Sequence, residues 1–128
     1  MKPFEDAVAM ELTWLLRAGV PARGVQLTVR ELVVARIGRG PLGAREVSEA
    51  VEATVRAAGR LVREMDASQE LVELVCRSTL EAVRGHGGES ARWLGEATSA
   101  AYAVLDEVAR ERAEGPAWRW VARGIPRG

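Results

Sequence analysis

REVSEAVEATVRAAGRLVREM, residues 45–65, carries the clearest helical pattern in the chain. Its larger apolar residues recur in steps of three and four, which is the spacing of one helix face. This apolar face consists of Val47, Val51, Val55, Ala58, Leu61, Val62 and Met65. The opposite face carries charged residues, namely Glu49, Glu52, Arg56, Arg60, Arg63 and Glu64. The segment therefore predicts a long amphipathic helix that buries one side against other helices.

The composition is that of one globular domain. With 128 residues, 48% of them hydrophobic and 28% charged, the chain is long enough to bury a core and does not have a disordered profile. Aromatic residues make up only 5%, so the core must be built from alanine, valine and leucine. Eighteen basic and eighteen acidic residues leave no net charge that would favour or exclude nucleic acid.

The single cysteine, Cys76, excludes an internal disulfide, and its place on the apolar side of a predicted helix indicates a core side chain. No apolar run approaches the roughly 20 residues that span a bilayer. The first residues also lack the apolar core of a signal peptide. We therefore expect a cytoplasmic protein.

The chain before the central segment predicts two shorter helices. The first spans residues 3–18, where an apolar stripe follows a proline at a first-turn position. Residues 19–27 are then expected to form a loop. Thr28 and Glu31 have the T-x-x-E spacing of a capping box, which predicts that a second helix begins there. The glycine-rich segment 38–43 ends it.

Two further helices are predicted after the central one. Residues 66–68 offer N-cap side chains for a fourth helix, which is expected to run to about residue 84. GHGG at 85–88 breaks this pattern, and a fifth helix is predicted over residues 89–113. No segment alternates with a period of two over a useful length. The predicted fold class is all-α, a five-helix bundle.

A faint internal repeat indicates how these helices are related. ELV at 31–33 is followed by EAT at 52–54, and the same triplets recur at 73–75 and 96–98. The repeat suggests two αα-hairpins that pack together, with the N-terminal helix added. Small alanine-rich helices also match by chance, so duplication and chance similarity both stay open.

LTVRELVVARIGRG at 27–40, followed by AREVSEAV at 44–51 and EATVR at 52–56, resembles the opening of a LuxR-type helix-turn-helix. The resemblance rests on Leu27, Thr28, Arg30, Glu31, Val34, Ile37, Glu46, Val47, Val51, Ala53, Thr54 and Val55. It implies DNA binding through a recognition helix. The alignment, however, deletes about three residues at the family's turn, and residues 47–56 keep unbroken helical spacing. We therefore interpret 45–65 as one helix without a separate recognition helix.

The pattern from Val29 to about Arg110 also resembles a set of small, functionally uncharacterised bacterial helical proteins. A V-R-x-L opening, a G-x-L break, a run of valines and alanines, and G-E-x-A before an alanine-rich helix carry this resemblance. It implies an all-helical fold and brings no activity with it.

No combination of residues predicts a catalytic or metal site. His86 is the only histidine, whereas a metal site needs three or four ligands, and its glycine neighbours favour helix termination. Glu49 with Glu52, and Asp106 with Glu107, are paired carboxylates. No histidine follows a glutamate by three residues, as the di-iron bundles require, so a solvated face is preferred. We expect a non-enzymatic protein without cofactor or metal.

Charge is distributed unevenly along the chain. Residues 22–45 carry five arginines and one glutamate, whereas residues 46–114 hold fourteen acidic residues and eight arginines. Residues 115–128 contain three arginines and no acidic residue. We expect the basic segments to contact an acidic protein surface, with phosphate as the alternative.

Residues 1–114 are predicted to form the helical domain and residues 115–128 a C-terminal tail. The tail contains Trp118 and Trp120, and tryptophan and arginine are enriched at interface hot spots. The same composition suits single-stranded nucleic acid or a membrane interface. Packing of the tail on its own helices is the remaining alternative.

The sequence thus predicts a helical interaction or adaptor protein that associates with itself or with another protein. The residues expected to bind the partner are Trp118, Trp120, Arg119, Arg123, Arg30, Arg36 and Arg39. The alternative is a nucleic-acid-binding regulatory protein that uses the arginine-rich segment 23–45 and the tail. A small enzyme or ligand carrier with a pocket between helices is the third hypothesis.

Overall fold

A computed structural model describes residues 3–38, 43–86 and 92–111. Within these ranges the chain forms five α-helices and no strand, which confirms the predicted all-α architecture. The helices are α1 (Pro3–Arg17), α2 (Ala22–Ile37), α3 (Ala44–Met65), α4 (Gln69–His86) and α5 (Leu94–Glu111). None of them combines the length and the hydropathy that crossing a bilayer would require.

Helix α3 buries the face that its sequence predicts, with the exception of its last residue. The valines, Ala58 and Leu61 of this apolar face are buried, whereas Met65 is 38% exposed. At its beginning, the carboxylate of Glu46 accepts a hydrogen bond from the backbone N–H of Gly43 at 3.0 Å. This contact satisfies one backbone donor at the helix N-terminus, as in a capping box.

Helix α2 begins earlier than predicted. The expected loop at 19–27 is wrong from Ala22 onward, and Thr28 lies in the helix interior, where its T-x-x-E spacing does not cap a terminus. The helix continues through Gly24 because buried aliphatic residues follow at every fourth position and pack against the core. These residues are Val25, Val29, Val33 and Ile37.

The junction between α3 and α4 uses two of the predicted cap residues at different ends. Asp66 ends α3 in the left-handed region, with φ of 55°, and its backbone N–H bonds to the carbonyl of Leu61. Ser68 acts as the N-cap of α4, where its Oγ accepts a hydrogen bond from the N–H of Glu70 at 3.1 Å. The prediction of N-cap residues at 66–68 is therefore right for Ser68 and wrong for Asp66.

The helices form two layers. In the three-helix layer, α3 packs between α1 and α5; in the two-helix layer, α2 packs beside α4. Helix α3 also contacts α4 and joins the layers. The corresponding helices of the two predicted hairpins, α2 with α4 and α3 with α5, thus lie side by side, as in stacked helical hairpins.

Helices α1 and α3 run parallel in the three-helix layer. Arg60 of α3 binds Asp6 near the start of α1. Further along both helices, the hydroxyl oxygen of Thr13 lies 3.7 Å from the sulfur of Met65. Consecutive helices alternate between the layers. Helix α2 therefore connects α1 to α3, and α4 connects α3 to α5, through the two-helix layer.

The threonines of the two EAT triplets bond back to the helix backbone, as Thr13, Ser78 and Thr79 also do, so this geometry leaves the internal repeat a prediction. The hydroxyl of Thr54 donates to the carbonyl of Ala50 at 2.8 Å, and the hydroxyl of Thr98 donates to the carbonyl of Leu94 at 2.7 Å. The two threonines occupy the same place in the two EAT triplets, and each bonds back by one helical turn. The two predicted units thus share this local geometry.

Candidate interaction surfaces

The polar face of α3 is a row of ion pairs to both neighbouring helices. Hydrogen bonding to Glu107 raises the pKa of Arg56, and hydrogen bonding to Asp6 raises the pKa of Arg60. These arginines hold the three-helix layer together and are not available to a partner. The interhelical pairs are Arg56 with Glu107 (3.0 Å), Arg60 with Asp6 (2.7 Å) and Glu5 (3.3 Å), and Arg63 with Glu111.

The structure places Arg30 and Arg36, two of the predicted partner-binding residues, on different sides of α2. They are six residues apart, which is about 240° around a helix. The guanidinium of Arg36 lies 6.0 Å from the centre of the Phe4 ring, in a groove of about 370 Å³ between α1, α2 and α3. Arg30 faces α4 instead. The two arginines therefore do not form one site.

The remaining predicted partner-binding residues lie outside the described part of the chain. They are Arg39, Trp118, Arg119, Trp120 and Arg123. Their role stays a prediction from the sequence.

Arg30 belongs to an exposed row of alternating basic and aliphatic residues along α2, which we call the α2 stripe. Its members are Arg23, Leu27, Arg30 and Val34, spaced by four, three and four residues so that they share one face. Leu27 is 50% exposed and Val34 is 38% exposed. Within the described ranges, neither Arg23 nor Arg30 is paired with a carboxylate.

A groove of about 290 Å³ separates the α2 stripe from α4. Gln26, Ser78 and Glu81 line it together with the first three members of the stripe. The two-helix layer carries five arginines and four acidic residues, whereas the three-helix layer carries eleven acidic residues and six arginines. The acidic excess of the described helices therefore lies in the three-helix layer, whereas the two-helix layer is close to neutral.

The outer side of α1 carries the two most exposed large hydrophobic side chains among the described residues. Trp14 is 70% exposed and Met10 is 67% exposed, one helical turn apart and opposite the buried side of the helix. They line a shallow groove of about 510 Å³ that we call the α1 face. Its residues are Met10, Thr13, Trp14, Arg17 and Ala18. The partly exposed Met65 extends it through its contact with Thr13.

Sequence reasoning missed the α1 face. The apolar stripe of α1 was assigned to the side with most aliphatic residues, and that side is indeed buried, with Val8 and Leu12 fully enclosed. The signal for a second surface was the four-residue spacing of Met10 and Trp14 on the opposite side. Two large apolar residues at this spacing lie on one face of the helix, and that face stays uncovered because α1 lies at the edge of its layer.

The described residues offer neither a reactive thiol nor a cluster of metal ligands. Burial raises the pKa of the Cys76 thiol to about 12, so the reactive thiolate is not formed near neutral pH. In the ranges that the structure covers, no group of three or more histidine, cysteine, aspartate or glutamate residues is placed to hold a metal ion. Comparison of the chain with protein-family models, curated proteins and solved structures finds no match.

Proposed function

We propose that this chain is a non-enzymatic interaction protein that associates with itself through the α1 face. The observation that carries the proposal is the exposure of Trp14, 70% open to solvent on the outer side of an edge helix. A tryptophan is among the residues that most often dominate an interface, because its large ring loses much water-exposed area on contact. Met10, 67% exposed and one turn away, places a second large apolar side chain on the same face.

A second copy is the partner that the α1 face fits best. Every copy presents the same apolar residues, and a two-fold contact, the commonest symmetry of soluble oligomers, would bury Met10 and Trp14 of both copies. Full burial of a large apolar side chain is worth about 1.5–3 kcal/mol. Four such side chains supply at most about 6–12 kcal/mol, against an association cost of about 4–15 kcal/mol. We therefore expect a weak, reversible dimer whose affinity also depends on the contacts around these residues.

The tail at 115–128 is proposed as a further partner-binding segment through Trp118, Arg119, Trp120 and Arg123. The support is its composition alone, two tryptophans and three arginines without an acidic residue. The expected cytoplasmic location belongs to the same proposal, because a single buried cysteine fits a reducing compartment.

Sedimentation velocity of the full chain over a concentration series tests the self-association. We expect the weight-average sedimentation coefficient to rise with concentration, and Trp14→Ala to keep the protein monomeric at concentrations where the unsubstituted chain is dimeric. Leu27→Ala is the matched control, since it removes an exposed apolar side chain from the other layer. A chain that stays monomeric throughout, or a Trp14→Ala variant that associates as before, would rule the proposal out.

A further inference from the structure

We infer that the α2 stripe is a second, separate interaction surface and that its partner is an acidic amphipathic helix. The stripe, Arg23, Leu27, Arg30 and Val34, lies in the two-helix layer, whereas the α1 face lies at the edge of the three-helix layer. The inference does not rest on self-association.

The first argument is the contrast between the arginines of α2 and α3. Three arginines of α3 bind carboxylates on α1 and α5, so the fold itself uses their charge. Arg23 and Arg30 are exposed, and no carboxylate within the described residues pairs with them. Their side chains keep all their guanidinium donors for a partner, and a carboxylate matches the planar geometry of that group with two parallel hydrogen bonds.

The second argument is the spacing of the stripe. Arg23 and Arg30 are two helical turns apart, about 10.5 Å along the axis. Carboxylates seven residues apart on a helix lying alongside have the same separation, so each can meet one guanidinium. Leu27 and Val34 alternate with the arginines. Leu27 is 50% exposed and Val34 is 38% exposed. They offer apolar contacts to the aliphatic residues of such a helix, as in helix-in-groove recognition.

The apolar members of the stripe also favour a protein over nucleic acid. Phosphate groups offer no apolar contact to Leu27 and Val34, whereas the aliphatic face of an amphipathic helix would cover both side chains and remove them from water.

Fluorescence anisotropy with the full chain and three labelled probes tests this assignment. The first probe is an amphipathic peptide with leucine on one face and flanking glutamates seven residues apart. The second carries lysine in place of each glutamate, and the third is a DNA duplex of arbitrary sequence. We expect only the glutamate peptide to bind, with an affinity that falls as salt is added.

Variants of the chain locate the binding. Arg23→Glu combined with Arg30→Glu is expected to weaken binding of the glutamate peptide by at least about tenfold, because two attractive pairs become repulsive. Leu27→Ala is expected to weaken it less. The charge-matched control combines Arg45→Glu with Arg110→Glu, which changes two exposed arginines away from the stripe and should leave binding unchanged. Circular dichroism confirms that each variant is folded.

Three outcomes would overturn the inference: no binding of the glutamate peptide, equal binding by both double variants, or tighter binding of the duplex. The last outcome would assign the arginines to phosphate. The result is independent of self-association, because Trp14→Ala should bind the peptide normally and the double variant at the stripe should sediment like the unsubstituted chain.

Discussion

Gly59 of α3 lies directly against Val108 of α5. A Cβ atom at position 59 would stand 2.8 Å from Cγ2 of Val108, closer than carbon atoms approach one another. The missing side chain therefore lets the two parallel helices come together at this point. We infer that this close contact sets the position of α5 along the axis of α3. It thereby also sets which residues form the ion pairs on either side of it.

Gly59→Ala is therefore expected to destabilise the fold although alanine is the better helix former. Overpacking a core typically costs about 1–3 kcal/mol, and the gain in helix propensity is at most about 1 kcal/mol. Gly95→Ala is the matched control, because a Cβ there meets nothing within 4 Å. Denaturant unfolding should show a lower midpoint for the first variant and an equal or higher one for the second.

A second substitution tests whether Gly59→Ala loses stability because of the clash with Val108. Adding Val108→Ala to Gly59→Ala removes the methyl group that clashes. The double variant should lose less stability than the sum of the two single losses, which is the sign of coupled neighbours. Strict additivity would mean that the contact between these helices is not the source of the loss.

Arg60 is expected to contribute more to stability than a typical surface arginine. Its guanidinium contacts Asp6 at 2.7 Å and Glu5 at 3.3 Å, and the side chain of Glu5 is only 8% exposed. Arg60→Ala should lower the free energy of unfolding by about 1–3 kcal/mol, less than for a fully buried pair because Arg60 is partly solvated. Arg45→Ala, which breaks the exposed pair to Glu49, should cost at most about 0.5 kcal/mol. Equal losses in thermal or urea unfolding would show that the buried carboxylate does not depend on Arg60.

The stability of the protein should fall at alkaline pH because of Cys76. Burial raises the pKa of its thiol to about 12 from an ordinary value of 9.0. Above pH 9 the unfolded chain loses this proton while the folded chain keeps it. The contribution of the Cys76 thiol to the free energy of unfolding is therefore complete below pH 9 and is lost as pH rises toward 12. The expected slope is up to about 1.4 kcal/mol per pH unit. Cys76→Ala should remove this part of the pH dependence; parallel stability profiles of the two proteins would contradict it.

The fold was predictable wherever one helix face carried a continuous apolar pattern. Residues 45–65 have such a pattern, and α3 spans Ala44–Met65. The start of α2 was not predictable from local signals, because Gly24 and its neighbours have the composition of a loop. Only packing of Val25 against the core makes that segment helical.

The surfaces were harder to predict than the helices. A sequence places Arg56, Arg60 and Arg63 on one face but cannot show that they meet carboxylates of α1 and α5. Those pairs depend on how far the parallel helices are shifted along their axes. Contacts such as that of Gly59 with Val108 set this shift. Likewise, the exposure of Trp14 follows from the position of α1 at the edge of its layer.

Chemical cross-linking tests the α1 face most directly as the self-association surface. Ala18→Cys introduces an exposed thiol on this face, and Ala103→Cys introduces one at an exposed position of α5. Cys76 is buried and should not react with a bismaleimide. We predict a covalent dimer from Ala18→Cys at concentrations where the protein sediments as a dimer, and little from Ala103→Cys. Efficient cross-linking of Ala103→Cys, or none of Ala18→Cys, would contradict the account.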